Sequence, residues 1–419
     1  MAVAIEGERE AFQRLVAETA WRPRSADALR GELQRQLAFQ SRPSEEGLDQ
    51  LAALLARWLG GERDLGGVAQ LAEAHPGQPL VHFYGFAMRR EAGDAEAAST
   101  SLAALLELDP EDPHAAQLAA HLAGAAAVGV SEEVRLSNIA RLASTAILRN
   151  PYQLATGAIF EAIRDLEVAR VLDVGVGSGA QLAELLALLR AHDHRVRRLE
   201  LVGLDFMDEF LERAGERIAD AGAPEATEVV YIPVRGRIEE LDESHVREIG
   251  GAEGLDAANA TIALHEVPGE RKLAALRNLR RVAPRHLVIA EWNYCLENTL
   301  PETSVEFLLN VRSASAGFVA ALTERFPHDE ARGVVRDWLS QGGGQIVCPA
   351  EARQECFLHV ASWRALLKQS GFRAAPVEEQ WLSYAEYGDS ARVEDGGTWI
   401  ATSGRGGWPP IALLHAVPA

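Results

Sequence analysis

The chain has few cysteines, a deficit of positive charge and no long apolar run. Its three cysteines, Cys295, Cys348 and Cys356, are too few and too irregularly placed for a disulfide framework, which fits a reducing cytoplasm. The set Cys348, Cys356 and His359 has a first spacing too wide for a typical metal site, so no metal is predicted. No window approaches the length of a membrane span, and the first residues lack the pattern of a signal peptide. We therefore expect a soluble, cytoplasmic protein with no membrane partner.

Charge and size restrict the class of protein further. The 41 Lys and Arg residues against 61 Asp and Glu give a formal net charge of −20, which disfavours binding to phosphate backbones, so no nucleic-acid partner is expected. The length of 419 residues exceeds the usual size of one domain, which predicts two domains or one domain with a large extension. The hydrophobic content of 47% is ample for a core.

The first part of the chain predicts helices only. Apolar residues recur there at helical spacing, and prolines and glycines are confined to short joints. Residues 79–110 look like a single tetratricopeptide-type helical hairpin, which cannot form a solenoid by itself. We therefore predict an α-helical N-terminal domain over residues 1–130, packed onto a second domain over residues 131–419.

The second domain alternates between strand and helix. Strands that alternate with helices imply a mostly parallel sheet covered on both faces, as in an α/β Rossmann-like fold. Two further strands, at residues 378–384 and 398–403, read as a hairpin that supplies an antiparallel C-terminal strand. The five predicted parallel strands are residues 171–174, 199–205, 228–234, 256–264 and 287–290.

An insertion of helical character follows the fifth predicted strand. It covers about residues 297–370, with helices predicted over 305–326 and 331–339. A run of three glycines, at 342–344, follows the second helix. We interpret this insertion as a cap above the carboxyl ends of the strands, with a glycine hinge.

The most specific motif is VLDVGVGSGAQL, at residues 171–182. Gly175, Gly177 and Gly179 let the backbone turn sharply and approach a ligand closely. The pattern also satisfies the dinucleotide fingerprint G-x-G-x-x-G/A. Asp173, however, would repel a pyrophosphate at the helix N-terminus and would attract the ammonium and sulfonium of S-adenosyl-L-methionine. The motif resembles motif I of the class I methyltransferases and predicts that cofactor; a dinucleotide site and an empty Rossmann domain are the alternatives.

Four other residues are predicted to hold the adenosine. Asp205 closes the second strand, 26 residues after Gly179, where a carboxylate can accept both ribose hydroxyls. Phe206 follows immediately and packs either against the adenine or in the core. Arg237 and Ile238 come after the third strand, at the position where this fold usually cradles the adenine edge. Main-chain contacts there would have to replace the usual Asp.

Candidate catalytic residues stand at the tips of the fourth and fifth strands. His265 can accept a proton from an acceptor hydroxyl or amine, and Glu266 can orient it or bind a cationic substrate. Glu291, Trp292 and Asn293 suit recognition of a polar or cationic acceptor, with Trp292 available for a cation–π contact. The alternative is structural: His265 caps a turn, and Glu291 is a satisfied buried acid.

The order of these segments resembles the GRAS family over roughly residues 78–419. The central motif matches at Gln181, which we therefore add to the cofactor residues, and the segment before it supplies Tyr152 as a candidate substrate contact. The acid of the family's fifth strand falls at Glu291. The segments that carry the likeness are NPYQLATGAIFEAI, VLDVGVGSGAQL, AANATIALHEVP, HLVIAEWN, FLHVASWRALLKQSGF and TWIATSGRGGWPPIALLHA.

The resemblance implies a methyltransferase Rossmann fold with a helical cap. Bacterial members of the family are thought to methylate small molecules, whereas plant members regulate transcription and often have an eroded glycine loop. The intact loop here favours an S-adenosyl-L-methionine-dependent methyltransferase that acts on a small-molecule acceptor at nitrogen, oxygen or carbon and releases S-adenosyl-L-homocysteine. A protein-interaction module without catalysis and an enzyme of non-methyl chemistry stay open as alternatives, as does a homo-oligomeric state.

Overall fold

The computed structural model describes residues 10–16, 18, 25–123, 134, 137–138, 141, 145–251, 254–292, 303–340, 356–358, 360–375, 391–394, 398–401 and 411–419. The N-terminal part of these residues is helical, as the sequence predicts. Asp and Ser side chains cap several of the helices; for example, the Asp94 carboxylate accepts the N–H of Ala97. The helices are α1 (Ala26–Gln36), α2 (Leu48–Leu59), α3 (Leu65–Ala74), α4 (Pro79–Glu91), α5 (Ala95–Leu108) and α6 (Pro113–Leu122).

The rest of the described chain contains one sheet with helices on both faces. The strands are β1 (Val168–Val174), β2 (Arg198–Asp205), β3 (Glu228–Arg235), β4 (Leu255–Thr261), β5 (Pro284–Trp292), β6 (Phe372–Ala374), β7 (Ala391–Glu394), β8 (Thr398–Ala401) and β9 (Ile411–Pro418). The helices are α7 (Ala146–Ile163), α8 (Ala180–Ala191), α9 (Asp208–Ala221), α10 (Glu243–Gly250), α11 (Lys272–Arg281), α12 (Val305–Thr323), α13 (His328–Ser340) and α14 (Val360–Gln369).

The strand order is β3-β2-β1-β4-β5-β9-β8-β7, and β6 also pairs with β9. Strands β1 to β5 are parallel, and β9 lies antiparallel to β5. The predicted Rossmann-like sheet with an antiparallel C-terminal strand is therefore confirmed. The strand beside β5 is β9, however, whereas the predicted strand at 398–403 forms β8 and pairs with β7 and β9. The other predicted strand, at 378–384, lies outside the described residues.

Alternate residues of the strands pack against opposite layers of helices. Val171 and Leu201 join the apolar cluster that contains α7 and α8, whereas Leu172 and Val202 join the cluster that contains α11 and α14. This alternation follows from the two-residue period of a strand. Strands β1, β2, β4 and β5 are buried over most of their length, so their near-continuous apolar sequences suit a sheet that is covered on both faces.

The inserted helices α12 and α13 pack against the N-terminal helices in a third apolar cluster. A buried ion pair lies within this cluster: the Arg312 guanidinium contacts both carboxylate oxygens of Asp112, at 3.0 and 2.5 Å. The same guanidinium lies 4.5 Å from the centre of the Phe83 ring. The cap and the N-terminal helices therefore share one core. None of the helices among the described residues is long and apolar enough to cross a membrane.

Candidate functional site

A cleft of about 230 Å³ opens at the carboxyl ends of β1, β2, β3 and β4. Ligands of open α/β sheets bind at this edge, because the loops after adjacent strands converge there. Six of the predicted cofactor residues line the cleft: Gly175, Gly177, Asp205, Phe206, Arg237 and Ile238. The predicted catalytic residue Glu266 lines it too, together with Glu239, Ile262, Ala263 and Val267.

The glycine loop needs its glycines for backbone conformation and for packing. Gly175, Gly177 and Gly179 all have positive φ, at 68°, 49° and 72°. A Cβ on Gly175 would lie 2.9 Å from Cβ of Ala263, and one on Gly179 would lie 2.7 Å from Cα of Ala214. The loop is therefore pressed against the turn after β4 on one side and against α9 on the other. Gly179 itself lies outside the lining of the cleft.

Asp173 lies beneath the loop, outside the lining of the cleft, and is attached to a closed ring of buried hydrogen bonds formed by Asn259, Gln181 and Thr261. Asn259 Nδ2 donates to the Asp173 carboxylate at 2.7 Å and to Gln181 Oε1 at 2.9 Å. Gln181 in turn donates to Thr261 Oγ1, and the Thr261 hydroxyl donates back to Asn259 Oδ1. Burial, with a smaller contribution from the charge of Asp205, raises the pKa of Asp173 to about 7 despite the Asn259 donor. This carboxylate therefore titrates near neutrality.

Asp205 projects from the end of β2 into the cleft. Its Oδ2 accepts the N–H of Gly177 at 3.1 Å, and its Oδ1 accepts the N–H of Met207 at 3.0 Å. Burial raises its pKa, although these backbone donors oppose the shift. A carboxylate offers about two acceptor positions on each oxygen, so one position on each remains for the two hydroxyls of a ribose.

Phe206 and Arg237 form a platform beside Asp205. Phe206 exposes 40% of its surface, so it is not a core residue. The Arg237 guanidinium lies 4.1 Å from the centre of the Phe206 ring and 3.9 Å from the Glu239 carboxylate. An aromatic ring and a guanidinium plane in contact are suited to stacking against a purine base.

β4 ends at Thr261, three residues before the predicted end. The strand stops because Ile262 adopts φ +51°, and Leu264–Glu266 then form a 3₁₀ turn. A positive φ is rare for a β-branched residue and marks local strain. Residues 263–267 are called the post-β4 turn below. Glu291 Oε1 binds this turn, because it accepts the N–H groups of Ala263, Leu264 and His265 at 2.9, 2.6 and 3.2 Å.

His265 and Glu291 are brought together by the post-β4 turn. Nδ1 of His265 lies 3.2 Å from Oε2 of Glu291, and the imidazole stacks on the ring of Phe357 at 5.0 Å. Because the carboxylate is an acceptor, the hydrogen-bond network assigns the proton to Nδ1 and the lone pair to Nε2. Glu266, the third predicted catalytic residue, is exposed in the cleft. Glu291 is thus hydrogen-bonded both to the backbone of the turn and to the His265 ring.

The predicted substrate residues Tyr152 and Trp292 lie where the cap meets the sheet. Trp292 is buried and meets Phe318 of α12 edge-to-face at 5.4 Å, and Tyr152 packs against the same helical cluster. Burial and the charges of nearby carboxylates raise the pKa of Tyr152, so its hydroxyl stays protonated. Asn293 lies outside the described residues.

Sequence reasoning missed Lys272, which is buried beside the post-β4 turn. Its Nζ donates to the carbonyl oxygens of Leu264 and Val267, the second at 2.8 Å. The ammonium also lies 5.2 Å from the centre of the Trp363 ring, and burial lowers its pKa. The composition could have drawn attention to Lys272, because the chain has two lysines, Lys272 and Lys368, among its 41 Lys and Arg residues.

The chain is similar in sequence to plant proteins. Protein SCARECROW 1 of Oryza sativa subsp. indica is 24% identical over 330 residues, which cover 78% of this chain and 47% of that protein. Chitin-inducible gibberellin-responsive protein 2 of Oryza sativa subsp. japonica is 26% identical over 241 residues, or 54% of this chain and 43% of that protein. The chain thus spans about half the length of the curated relatives it matches.

The fold is shared with a solved plant structure. The crystal structure of SCL7 from Oryza sativa superposes with a TM-score of 0.57 at 17% identity, over 84% of this chain and 93% of that chain. A magnesium protoporphyrin IX methyltransferase from Synechocystis PCC 6803, solved with bound SAH, gives a TM-score of 0.38 at 14% identity, over 68% of this chain and 94% of that chain. The model of the GRAS domain family matches residues 129–398, more than half of the chain. This protein therefore belongs to the GRAS domain family.

Proposed function

We propose that this protein is an S-adenosyl-L-methionine-dependent methyltransferase that acts on a small-molecule acceptor. The observation that carries the proposal is the charge of the cleft. Its lining holds three carboxylates, Asp205, Glu239 and Glu266, against one guanidinium, Arg237, and that guanidinium is paired with Glu239. Excess negative charge beside a glycine loop attracts a cationic ligand and repels a pyrophosphate.

The residues present fit an adenosine that carries a positive group. The two remaining acceptor positions of Asp205 suit the ribose hydroxyls. Phe206 and Ile238 offer apolar surface to the adenine, and Glu266 offers a carboxylate to the cationic end. When bound, the cofactor would supply an electrophilic methyl group. Asp173 adds negative charge beneath the glycine loop only above its pKa of about 7, and its carboxylate lies outside the cleft lining.

His265 is the general base of the proposed reaction. Its Nδ1 is held by Glu291, so Nε2 would be the nitrogen that accepts the proton of an acceptor hydroxyl or amine. His265 is buried outside the cleft lining and precedes Glu266, which lines the cleft. Most of the rate would come from alignment of the acceptor and exclusion of water, because methyl transfer needs little covalent assistance.

Calorimetric titration of the purified protein tests the proposal. We expect S-adenosyl-L-methionine and S-adenosyl-L-homocysteine to bind with micromolar Kd values and NAD⁺ to give no heat. Incubation with pooled small-molecule acceptors should then release S-adenosyl-L-homocysteine, measured by mass spectrometry. Binding of NAD⁺ in place of the sulfonium compound would refute the assignment of the cleft.

A protein-interaction role without catalysis is the second candidate. It is favoured by the curated relatives, which are plant proteins named for SCARECROW and for gibberellin response. This role predicts no heat with S-adenosyl-L-methionine and no product. An enzyme that binds the cofactor for other chemistry would instead bind it without releasing S-adenosyl-L-homocysteine.

A further inference from the structure

The post-β4 turn is held at both ends by buried charges of opposite sign. At its start, the Glu291 carboxylate accepts the N–H groups of Ala263 and Leu264. At its end, the Lys272 ammonium donates to the carbonyl oxygens of Leu264 and Val267. Glu291 and Lys272 each expose 1% of their surface. A carboxylate at the N–H end and an ammonium at the carbonyl end both match the direction of the peptide dipoles.

The turn needs such support because its backbone is strained where it leaves β4. Ile262 has φ +51°, a conformation that a β-branched residue keeps only when its surroundings impose it. The N–H of Ile262 donates to the carbonyl oxygen of Ala290 at 2.7 Å, which fixes the start of the deviation. Glu291 and Lys272 hold the residues that follow, 263–267, in place.

The groups with chemical roles in the proposed reaction are carried by this turn. His265 lies in its middle, with Nδ1 against Glu291, and Glu266 follows in the lining of the cleft. Lys272 lies seven residues after His265, at the start of α11, outside the cleft lining. Lys272 therefore acts on the cleft through the turn.

We propose that Lys272 is a positioning residue: with Glu291 it clamps the post-β4 turn, which holds Nδ1 of His265 against Glu291 and carries Glu266 into the lining of the cleft. The catalytic part of this proposal rests on the proposed function. The clamp itself does not, because it predicts the state of His265 in the protein without any ligand. Lys272→Met removes the ammonium and keeps a side chain of similar length. Lys368→Met is the matched control, because Lys368 is the other lysine of the chain and is exposed on α14.

Nitrogen NMR of the histidine rings tests the clamp, with the His265 signals assigned by comparison with His265→Gln. In the wild type and in Lys368→Met we expect a single tautomer with the proton on Nδ1. In Lys272→Met we expect both ring nitrogens to shift towards the average of two tautomers. Turnover in Lys272→Met should fall about 100-fold, the effect of a misplacement of about 1 Å, while the cofactor Kd stays within about three-fold. An unchanged His265 spectrum in Lys272→Met overturns the proposal whatever the turnover.

A second measurement on the wild type covers the case in which Lys272→Met does not fold. Protein labelled with ¹⁵N-lysine should give two Nζ signals, and Lys368→Met identifies the one that belongs to Lys272. The Lys272 ammonium should exchange its protons much more slowly than Lys368, because its donors are buried and bonded. Equal exchange rates overturn the clamp. The wild type could show the single His265 tautomer and the slow exchange of Lys272 and still bind no S-adenosyl-L-methionine. In that case the proposed function is wrong and the clamp is retained.

Discussion

The substitution Asp173→Asn should make the protein more stable at alkaline pH. Burial raises the pKa of Asp173 from 3.8 to about 7. Between these values the folded protein keeps a proton that the unfolded chain has released, so the free energy of unfolding falls as pH rises through this window. Three pKa units correspond to about 4 kcal/mol, taken as an upper limit. Asparagine carries no charge at any pH and can turn its oxygen towards Asn259, so it avoids this cost.

Urea denaturation at pH 4, 6 and 8 measures the effect. We expect the stabilisation by Asp173→Asn to be near zero at pH 4 and to reach about 2–4 kcal/mol at pH 8. Asp208→Asn is the control, because Asp208 is an exposed carboxylate paired with Arg235. The same variant should bind S-adenosyl-L-methionine more weakly than the wild type at pH 8, since it removes a buried negative charge below the loop. A stabilisation that does not depend on pH would refute the reasoning.

Three further predictions concern Asp205, His265 and the core of the cap. Asp205→Ala should weaken S-adenosyl-L-methionine binding by about 30- to 1,000-fold in calorimetry, since it removes two hydrogen bonds to a charged acceptor, whereas Asp208→Ala should bind normally. His265→Gln should retain cofactor binding and slow turnover by about 10²- to 10⁴-fold with acceptors that lose a proton; equal loss of binding in the Asp205 and His265 variants would contradict their roles. Arg312→Met should lower the free energy of unfolding by about 3–5 kcal/mol, because it leaves the Asp112 carboxylate buried without its partner; an unchanged urea midpoint would contradict this.

Local patterns predicted the backbone of the glycine loop and the position of Asp205 at the end of β2. The three glycines of the loop have the positive φ values that their spacing suggests, and Asp205 ends β2 because an acid closes an apolar strand there. Such features depend on neighbours in the sequence. The parallel arrangement of β1 to β5 likewise follows from the alternation of strand and helix along the chain.

Contacts between distant residues were not predictable in this way. Glu291 binds the N–H groups of residues 263–265, which are 26 to 28 positions earlier in the chain. From the sequence, Glu291 was only a polar residue at the end of a strand. Its contact with residues 263–265 compensates the strain at Ile262, and that strain is a property of the folded backbone. Likewise, the pairing of β9 with β5 and the shared core of α12 with the N-terminal helices depend on tertiary packing.

The central claim is that an acidic cleft beside the glycine loop binds a cationic, phosphate-free adenosine compound. A crystal structure of the protein with S-adenosyl-L-homocysteine tests it most directly. We predict that both ribose hydroxyls lie within hydrogen-bonding distance of the Asp205 carboxylate and that the adenine lies against Phe206. Density for the ligand elsewhere on the protein, or for a pyrophosphate at the loop, would contradict the account.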